Sequence, residues 1–374
     1  MRFARTILGW IALVTLTACA GEYPQSSIDP VSDFAETIHS LYGQIFWWSV
    51  GILTVTWVVL AYILVKYRER PDSPEPKQIH GHMGMEIAWT IVPALIVVAI
   101  AIPTIQAVFS TQQVPEDAMV VEVIGHQYWW EFRYPEHDGL VTANEVHIPV
   151  GRPVSFRLHS DDVIHSFWVP QLGGKRDANP LRMRPEGQDL KYNWIHLTAS
   201  ETGTFWGQCA EFCGDSHSLM GMRVIVQTQE EFDAWLADLE AGHPMEVAQS
   251  QALTAVGAEP APSLVSQEDP QIQEGRQLFL ANCTACHAVT GVSEAGVIAP
   301  NLTLLGRRST IAAGMLENNV DNLTRWISDP QSVKPGALMP GLEYSGGRPP
   351  VVWPAFNLTP DQVRSVATYL YSLR

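Results

Sequence analysis

Within CAEFCGDSHSLM, Cys209 to Met220, the chain places two thiols, an imidazole and a thioether on one short stretch. Thiolate, thioether and imidazole are soft donors, and copper is the ion they suit together. A mononuclear blue-copper centre needs one Cys, two His and a weak axial Met. Here Cys209 and Cys213, four apart on one loop, allow both sulfurs to bridge two copper ions, with His217 and Met220 completing the shell. A second imidazole has to come from elsewhere. His165 in DVIHSFWVP is preferred, because a short loop there leads into an apolar aromatic run. The rivals His147 and His159 sit in alternating, strand-like sequence, where a histidine is ordinarily a satisfied core residue. A zinc site or a Cys209–Cys213 disulfide are the competing chemistries, but zinc rarely takes Met and neither requires the downstream H-x-x-M.

A second cluster, CTACH, contains Cys283, Cys286 and His287. The C-x-x-C-H spacing reads as c-type haem attachment, two thioethers clamping a haem whose iron the adjacent His ligates. A high-potential haem takes Met as its other axial ligand. Met339 in KPGALMPG is preferred over Met315, because Pro and Gly neighbours hold an extended loop whereas Met315 sits in sequence of helical character. With Cys19 assigned below, all five cysteines have a chemical task and no structural disulfide is implied.

DVIHSFWVP followed by CAEFCGxxHxxM resembles the dinuclear copper (CuA) site of cytochrome c oxidase subunit II. The resemblance implies His165, Cys209, the backbone carbonyl of Glu211, Cys213, His217 and Met220 as ligands. It implies that the Glu211 side chain helps bind Mg2+ at the contact with subunit I. It also implies that GHQYWWEFRYP lies over the copper pair and admits electrons through its first aromatic. That position, commonly Trp in the family, is Tyr128 here, so Trp129 and Trp130 are candidates to share the role. The segment around CTACH resembles a class I cytochrome c, with Gly275 and Phe279 in the preceding helix and the Pro300 carbonyl holding the haem histidine.

The elements that must position these groups follow in chain order. Arg2 and Arg5, an apolar run from Ile7 to Leu16, and small residues before Cys19 describe a secretory signal over 1–18. It resembles a bacterial lipoprotein signal, which would make Cys19 the acylated N-terminus. The segment 19–115 then contains two uncharged apolar stretches, 41–65 and 87–109, each long enough to span ~30 Å of hydrocarbon. Lys66, Arg68, Arg70 and Lys77 lie in the loop between them, so the positive-inside rule puts that loop in the cytoplasm and both ends outside. Glu86 begins the second span. An interfacial carboxylate there can simply mark a helix end; the resemblance implies a proton-uptake point leading to subunit I.

Met119 to Ile124 alternates, EVHIPVGRPVSFRLHS reads as two strands about a Gly-Arg-Pro turn and NWIHLTASETGTFWGQC as two more, which predicts an antiparallel β-barrel or sandwich over 116–241, closed by a helix with Phe232, Trp235, Leu236 and Leu239 on one face. Residues 242–266 are too poor in large apolar side chains to bury a core and read as a flexible linker. Residues 267–374 form the haem domain, whose terminal helix begins with Thr359, Pro360 and Gln362.

The architecture expected is therefore multidomain: a two-helix transmembrane hairpin, an all-β cupredoxin-like Greek-key barrel and an all-α cytochrome c domain. A net charge of −16 with no basic patch argues against nucleic acid. The resemblances imply an electron-accepting oxidase subunit carrying CuA and haem c in a bacterial cytoplasmic membrane, its redox domains on the periplasmic face. Subunit I, and with it subunit III, would be its partners, and cytochrome c or another respiratory donor would supply electrons. A CuA-type nitric oxide reductase and a membrane-anchored copper-delivery protein are the other readings; a quinol oxidase subunit would lack these copper ligands.

Overall fold

The computed structural model describes residues 23–71, 75, 78, 80–181, 192–242, 269–293, 296, 298–342 and 357–374. The expected signal with Cys19, and all of the expected linker beyond Gly242, lie outside them.

Two long helices come first, α1 (Asp33–Lys66) and α2 (Met83–Ser110). Their apolar side chains stay exposed along most of their length, as lipid- or partner-facing helices require. Pro93 and Pro103 lie inside α2 without ending it. Helix α1 starts ahead of the expected span because its first turn belongs to the next domain. The N-capping Ser32 hydroxyl donates to the Leu172 carbonyl at 2.7 Å, and Asp33 Oδ1 accepts from the Thr198 amide at 2.7 Å. Phe34 and Ala35 are buried. The long apolar helix thus has its first turn anchored in the β-domain.

That domain has ten strands: β1 (Met119–His126), β2 (Trp129–Tyr134), β3 (Leu140–Ala143), β4 (Glu145–Pro149), β5 (Pro153–Ser160), β6 (His165–Trp168), β7 (Arg176–Ala178), β8 (Asn193–Thr198), β9 (Gly203–Cys209) and β10 (Gly221–Gln227). They form two five-stranded sheets, ordered β3-β2-β1-β5-β8 and β4-β10-β9-β6-β7. The expectation of a purely antiparallel fold is corrected: β1 pairs parallel with β5, and β4 parallel with β10. Strands β4 and β5, joined by the Gly151-Arg152-Pro153 turn, lie in different sheets, and so do the successive strands β8 and β9. Val146 and Ile148 fill the core from one sheet while Val154, Phe156 and Leu158 fill it from the other. The turn therefore carries the chain across the end of the barrel, as Greek-key connections do. Phe167 ties the two sheets, with ring centroids 5.3 Å from Phe156 and 5.7 Å from Trp130.

Helix α3 (Gln229–Ala241) opens on a Thr228–Glu231 capping box and buries Phe232, Leu236 and Leu239. Its Trp235 stacks on His147 at 4.0 Å.

The C-terminal domain is built on α4 (Pro270–Asn282), α5 (Val320–Ser328), the short α6 (Pro330–Val333) and α7 (Pro360–Ser372), with one two-residue hairpin, β11 (Thr310–Ile311) and β12 (Leu316–Glu317). Helices α4 and α7 cross at Gly275, where a Cβ would lie 2.0 Å from the Ser365 carbonyl oxygen. Only glycine permits that approach. Thr359 and Gln362 form a capping box on α7. Met315, expected in a helix, lies instead in the β11–β12 turn.

Candidate metal and haem centres

The loop after β9 and the start of β6 bring five donors together. Cys209 ends β9 and His165 begins β6, while Cys213, His217 and Met220 follow on the loop. The Cys209 and Cys213 sulfurs are 3.8 Å apart, and both cysteines are free. His165 Nδ1 lies 3.8 Å from Cys209 Sγ, and the Glu211 carbonyl oxygen 3.3 Å from the same sulfur. His217 Nδ1 lies 3.8 Å from Cys213 Sγ and Met220 Sδ 3.9 Å from it. The donors therefore divide into two sets, one at each sulfur.

Metal–sulfur and metal–nitrogen bonds of ~2.3 and ~2.0 Å span up to about 4.6 Å between sulfurs and about 4.3 Å between sulfur and nitrogen. Every separation above falls inside those limits, so the residues fit a metal pair bridged by both thiolates. His165, Cys209, Cys213 and Met220 are all buried, as rigid, water-shielded ligands should be.

The acid–base properties of the cluster suit metal capture. A hydrogen bond from Cys213 draws the Cys209 thiol down to about 3 against the cost of burial, with His165 adding to it. Its partner Cys213 is pushed upward by Cys209 and by burial. Two thiols this close titrate as one coupled pair, the first deprotonation favoured and the second opposed.

Supporting groups absent from the sequence expectations complete the site. Burial alone would lower His165, but the Asp162 carboxylate, 2.7 Å from its Nε2, lifts it above its usual value. That bond leaves Nδ1 facing Cys209 and fixes the tautomer. Asp162 is held in turn by the Gln127 amide at 2.5 Å and the Val163 amide at 2.6 Å. Gly125 in β1 makes room for the ring, since a Cβ there would lie 2.6 Å from His165 Cδ2. A D-x-x-H spacing was the only sequence signal for Asp162; nothing local marked Gly125.

Among the aromatics, Trp130 is fully buried with its ring centroid 5.8 Å from that of His165. Trp129 is half-buried and stacks on His126 at 4.3 Å. The Tyr128 hydroxyl accepts from the Asp215 amide at 3.0 Å. The Glu211 side chain is exposed. Glu86 Oε1 accepts from the His82 amide at 3.1 Å, so this carboxylate caps the start of α2. Of the rival histidines, His147 lies 2.8 Å from Gln227 Oε1 and His159 lies 3.6 Å from Glu122 Oε1, both away from the sulfurs.

In the C-terminal domain, Cys283 caps the end of α4, and Cys286 and His287 follow in the next turn. The Pro300 carbonyl can only accept, so His287 Nδ1, 2.8 Å away, carries the proton and leaves Nε2 as the free donor. Met339, in the loop after α6, and Cys283 pack against one apolar core containing Phe279 and Leu323. Met315 instead faces the β-domain, its Cε 3.6 Å from the position of a Cβ on Gly221. Burial pushes the Cys283 thiol up to about 12 and raises Cys286 as well.

Three family models match the chain: "Cytochrome C oxidase subunit II, transmembrane domain" over residues 24–107, its periplasmic domain over 139–228, and "Cytochrome c" over 272–374. Cytochrome c oxidase subunit 2 of Alkalihalophilus pseudofirmus is 39% identical, the match covering 96% of this chain and 94% of that one. Quinol oxidase subunit 2 of Bacillus spizizenii is 34% identical over 60% of this chain and 70% of that one. The crystal structure of the periplasmic domain of subunit II of cytochrome oxidase from Bradyrhizobium japonicum is 28% identical, covering 34% of this chain and 97% of that one with a TM-score of 0.31. With a near full-length relative and both redox domains matched, the chain belongs to the cytochrome c oxidase subunit II family, in the form that carries its own cytochrome c domain.

Proposed function

We propose that the chain is the electron-accepting subunit of a haem-copper terminal oxidase in a bacterial cytoplasmic membrane. Subunit I, and with it subunit III, would be its partners. The observation that carries this reading is the division of donors about the Cys209–Cys213 pair, in one chain with a C-x-x-C-H haem motif. Once bound, haem c and the copper pair supply one-electron redox centres that do not exchange protons or atoms with a substrate.

The protein's part is to hold, shield and align. Cys283 and Cys286 would tether the haem, and His287 and Met339 would hold its iron. Both thiolates, His165, His217, Met220 and the Glu211 carbonyl hold the copper. Asp162 fixes the orientation of His165 so that little rearrangement accompanies a change of charge. Electrons pass from the haem domain to the β-domain and on to subunit I, where oxygen is reduced to water and protons are moved. Ile164 and Phe212, next to His165 and Cys213, are 45% and 76% exposed and supply an apolar contact for subunit I beside the copper ligands. Glu211 on the same loop offers a carboxylate for Mg2+ at that contact, and Glu86 lies where a proton path from the cytoplasm would begin. A copper-delivery role is disfavoured, because exchange of a cargo ion needs accessible ligands, and His165, Cys209, Cys213 and Met220 are buried.

Electron paramagnetic resonance with metal analysis of the purified chain tests the reading. Two coppers sharing one unpaired electron, with one haem iron per chain, are expected. Cys213→Ser should abolish that copper signal and leave the haem spectrum intact. A single blue-copper signal or zinc in the unsubstituted protein refutes the assignment.

A further inference from the structure

The haem domain is seated on the β-domain, and polar side chains make many of the contacts. The two apolar cores have no residue in common, yet charged and polar side chains are buried between them. Glu145, 2% exposed at the start of β4, accepts at Oε1 from the Ser309 amide (3.0 Å) and hydroxyl (2.6 Å) and from the Thr310 amide (3.1 Å) and hydroxyl (3.4 Å). Buried Arg223, stacked 3.6 Å above Trp206, donates to the Gly314 carbonyl at 3.2 Å. Beside it the Gly221 amide donates to the Ala313 carbonyl at 3.0 Å. Those carbonyls are presented by Ala312, Ala313 and Gly314, all left-handed at φ 53°, 59° and 82°. Two successive alanines in that conformation are costly, and such strain persists where the surroundings enforce it, commonly at functional contacts.

At the copper end, the buried Ser216 hydroxyl donates to the Pro335 carbonyl at 2.7 Å, and buried Lys334 donates to the Tyr128 carbonyl. Ser216 is covalently joined to His217, and Pro335 lies four residues before Met339 on the same loop. The site of the first aromatic is occupied as well: Tyr128 Cε2 lies 3.4 Å from the position of a Cβ on Gly336.

Building on the assignment of the two centres above, we propose that Glu145 fixes this seat and that the electron crosses it through the Pro335 carbonyl, the Ser216 hydroxyl and His217. In one crossing a single electron leaves the iron held by His287 and Met339, which is oxidised, and arrives at the copper pair held by Cys209 and Cys213, which is reduced. No proton or bond changes place. A soluble donor does not reach the Tyr128 surface while the domain is seated, so it must reduce the haem domain instead. Glu145 and Ser216 are positioning residues, since neither touches a redox centre.

The test uses the full chain with both centres loaded, in detergent, as Glu145→Gln, Ser216→Ala and the double variant Ser309→Ala/Thr310→Val. Amide hydrogen exchange across 308–311 reports seating without reference to activity. Photoreduction of the haem followed by its reoxidation reports the crossing. Loss of a charge-assisted acceptor weakens seating about tenfold or more, so Glu145→Gln should speed exchange at 309 and 310 by that factor and slow the crossing. The double variant, altered on the more exposed partner, should do the same. Ser216→Ala should leave exchange unchanged and slow the crossing. Exchange at 309 and 310 equal to the unsubstituted chain in both Glu145→Gln and the double variant overturns the seat; an undiminished crossing in Ser216→Ala overturns the route. Absence of the copper pair from the unsubstituted chain would overturn the functional assignment instead, with exchange protection still present.

Discussion

The copper site is open to a perturbation that touches no donor. Gly125→Ala would place a Cβ 2.6 Å from His165 Cδ2 and 2.8 Å from its Cγ, against an ordinary carbon–carbon contact of ~3.5 Å. The ring would have to retreat by roughly 0.9 Å to reach that contact. It is not free to do so, because Nε2 is held at 2.7 Å by Asp162 and Trp130 packs edge-on at 5.8 Å. Retreat also moves Nδ1 away from its 3.8 Å separation from Cys209. Overpacking of this kind costs ~1–3 kcal/mol. For a cooperative unit of 150–250 residues each kcal/mol lowers Tm by about 2–4 °C, so a fall of several degrees is expected in the copper-free chain. Copper affinity should fall about ten- to a hundredfold, the usual effect of disturbing a ligand's supporting shell. Calorimetry of the copper-free chain and a copper titration in competition with a chelator give both numbers, and haem absorbance serves as an internal control. An unchanged Tm together with unchanged copper retention would refute the packing of His165 on Gly125.

Two further outcomes follow from the same contacts. Met339→Ala should lower the haem midpoint potential, since an axial thioether raises it, whereas Met315→Ala, facing Gly221, should leave the potential alone; the reverse result in redox titrations would exchange their roles. Seating should also depend on pH through Lys334. Burial lowers its ammonium from 10.5 to about 7 in the seated state. Below 7 it is charged in both states and seating bears the whole desolvation cost; between 7 and 10.5 the unseated state holds the extra proton, so seating strengthens as pH rises across that window. Exchange at 309 and 310, corrected for the intrinsic rate at pH 6.5 and 9, measures this, and Lys334→Met should flatten the trend. Seating that weakens with rising pH would contradict it.

What could be read in advance divides along a physical line. CAEFCGDSHSLM and CTACH are legible because covalent chemistry and ligand geometry confine donors to short, fixed spacings. The spans at α1 and α2 are legible because hydrocarbon demands an unbroken apolar run. The parallel pairings of β1 with β5 and β4 with β10 were not, since alternation tells which face of a strand is buried but not which strand lies beside it. Met315 was misread because a two-residue hairpin leaves no periodicity to detect. The seat of the haem domain was the least legible feature. Glu145 looks like any polar residue opening a strand, Ser216 like a loop serine and Lys334 like a solvated cation; each is buried only because another domain supplies its partner. An interface made of such residues is costly to form unless every polar group finds its partner. Its position is therefore set by pairings that exist only when the two domains meet: Glu145 with Ser309 and Thr310, Ser216 with the Pro335 carbonyl, and Lys334 with the Tyr128 carbonyl.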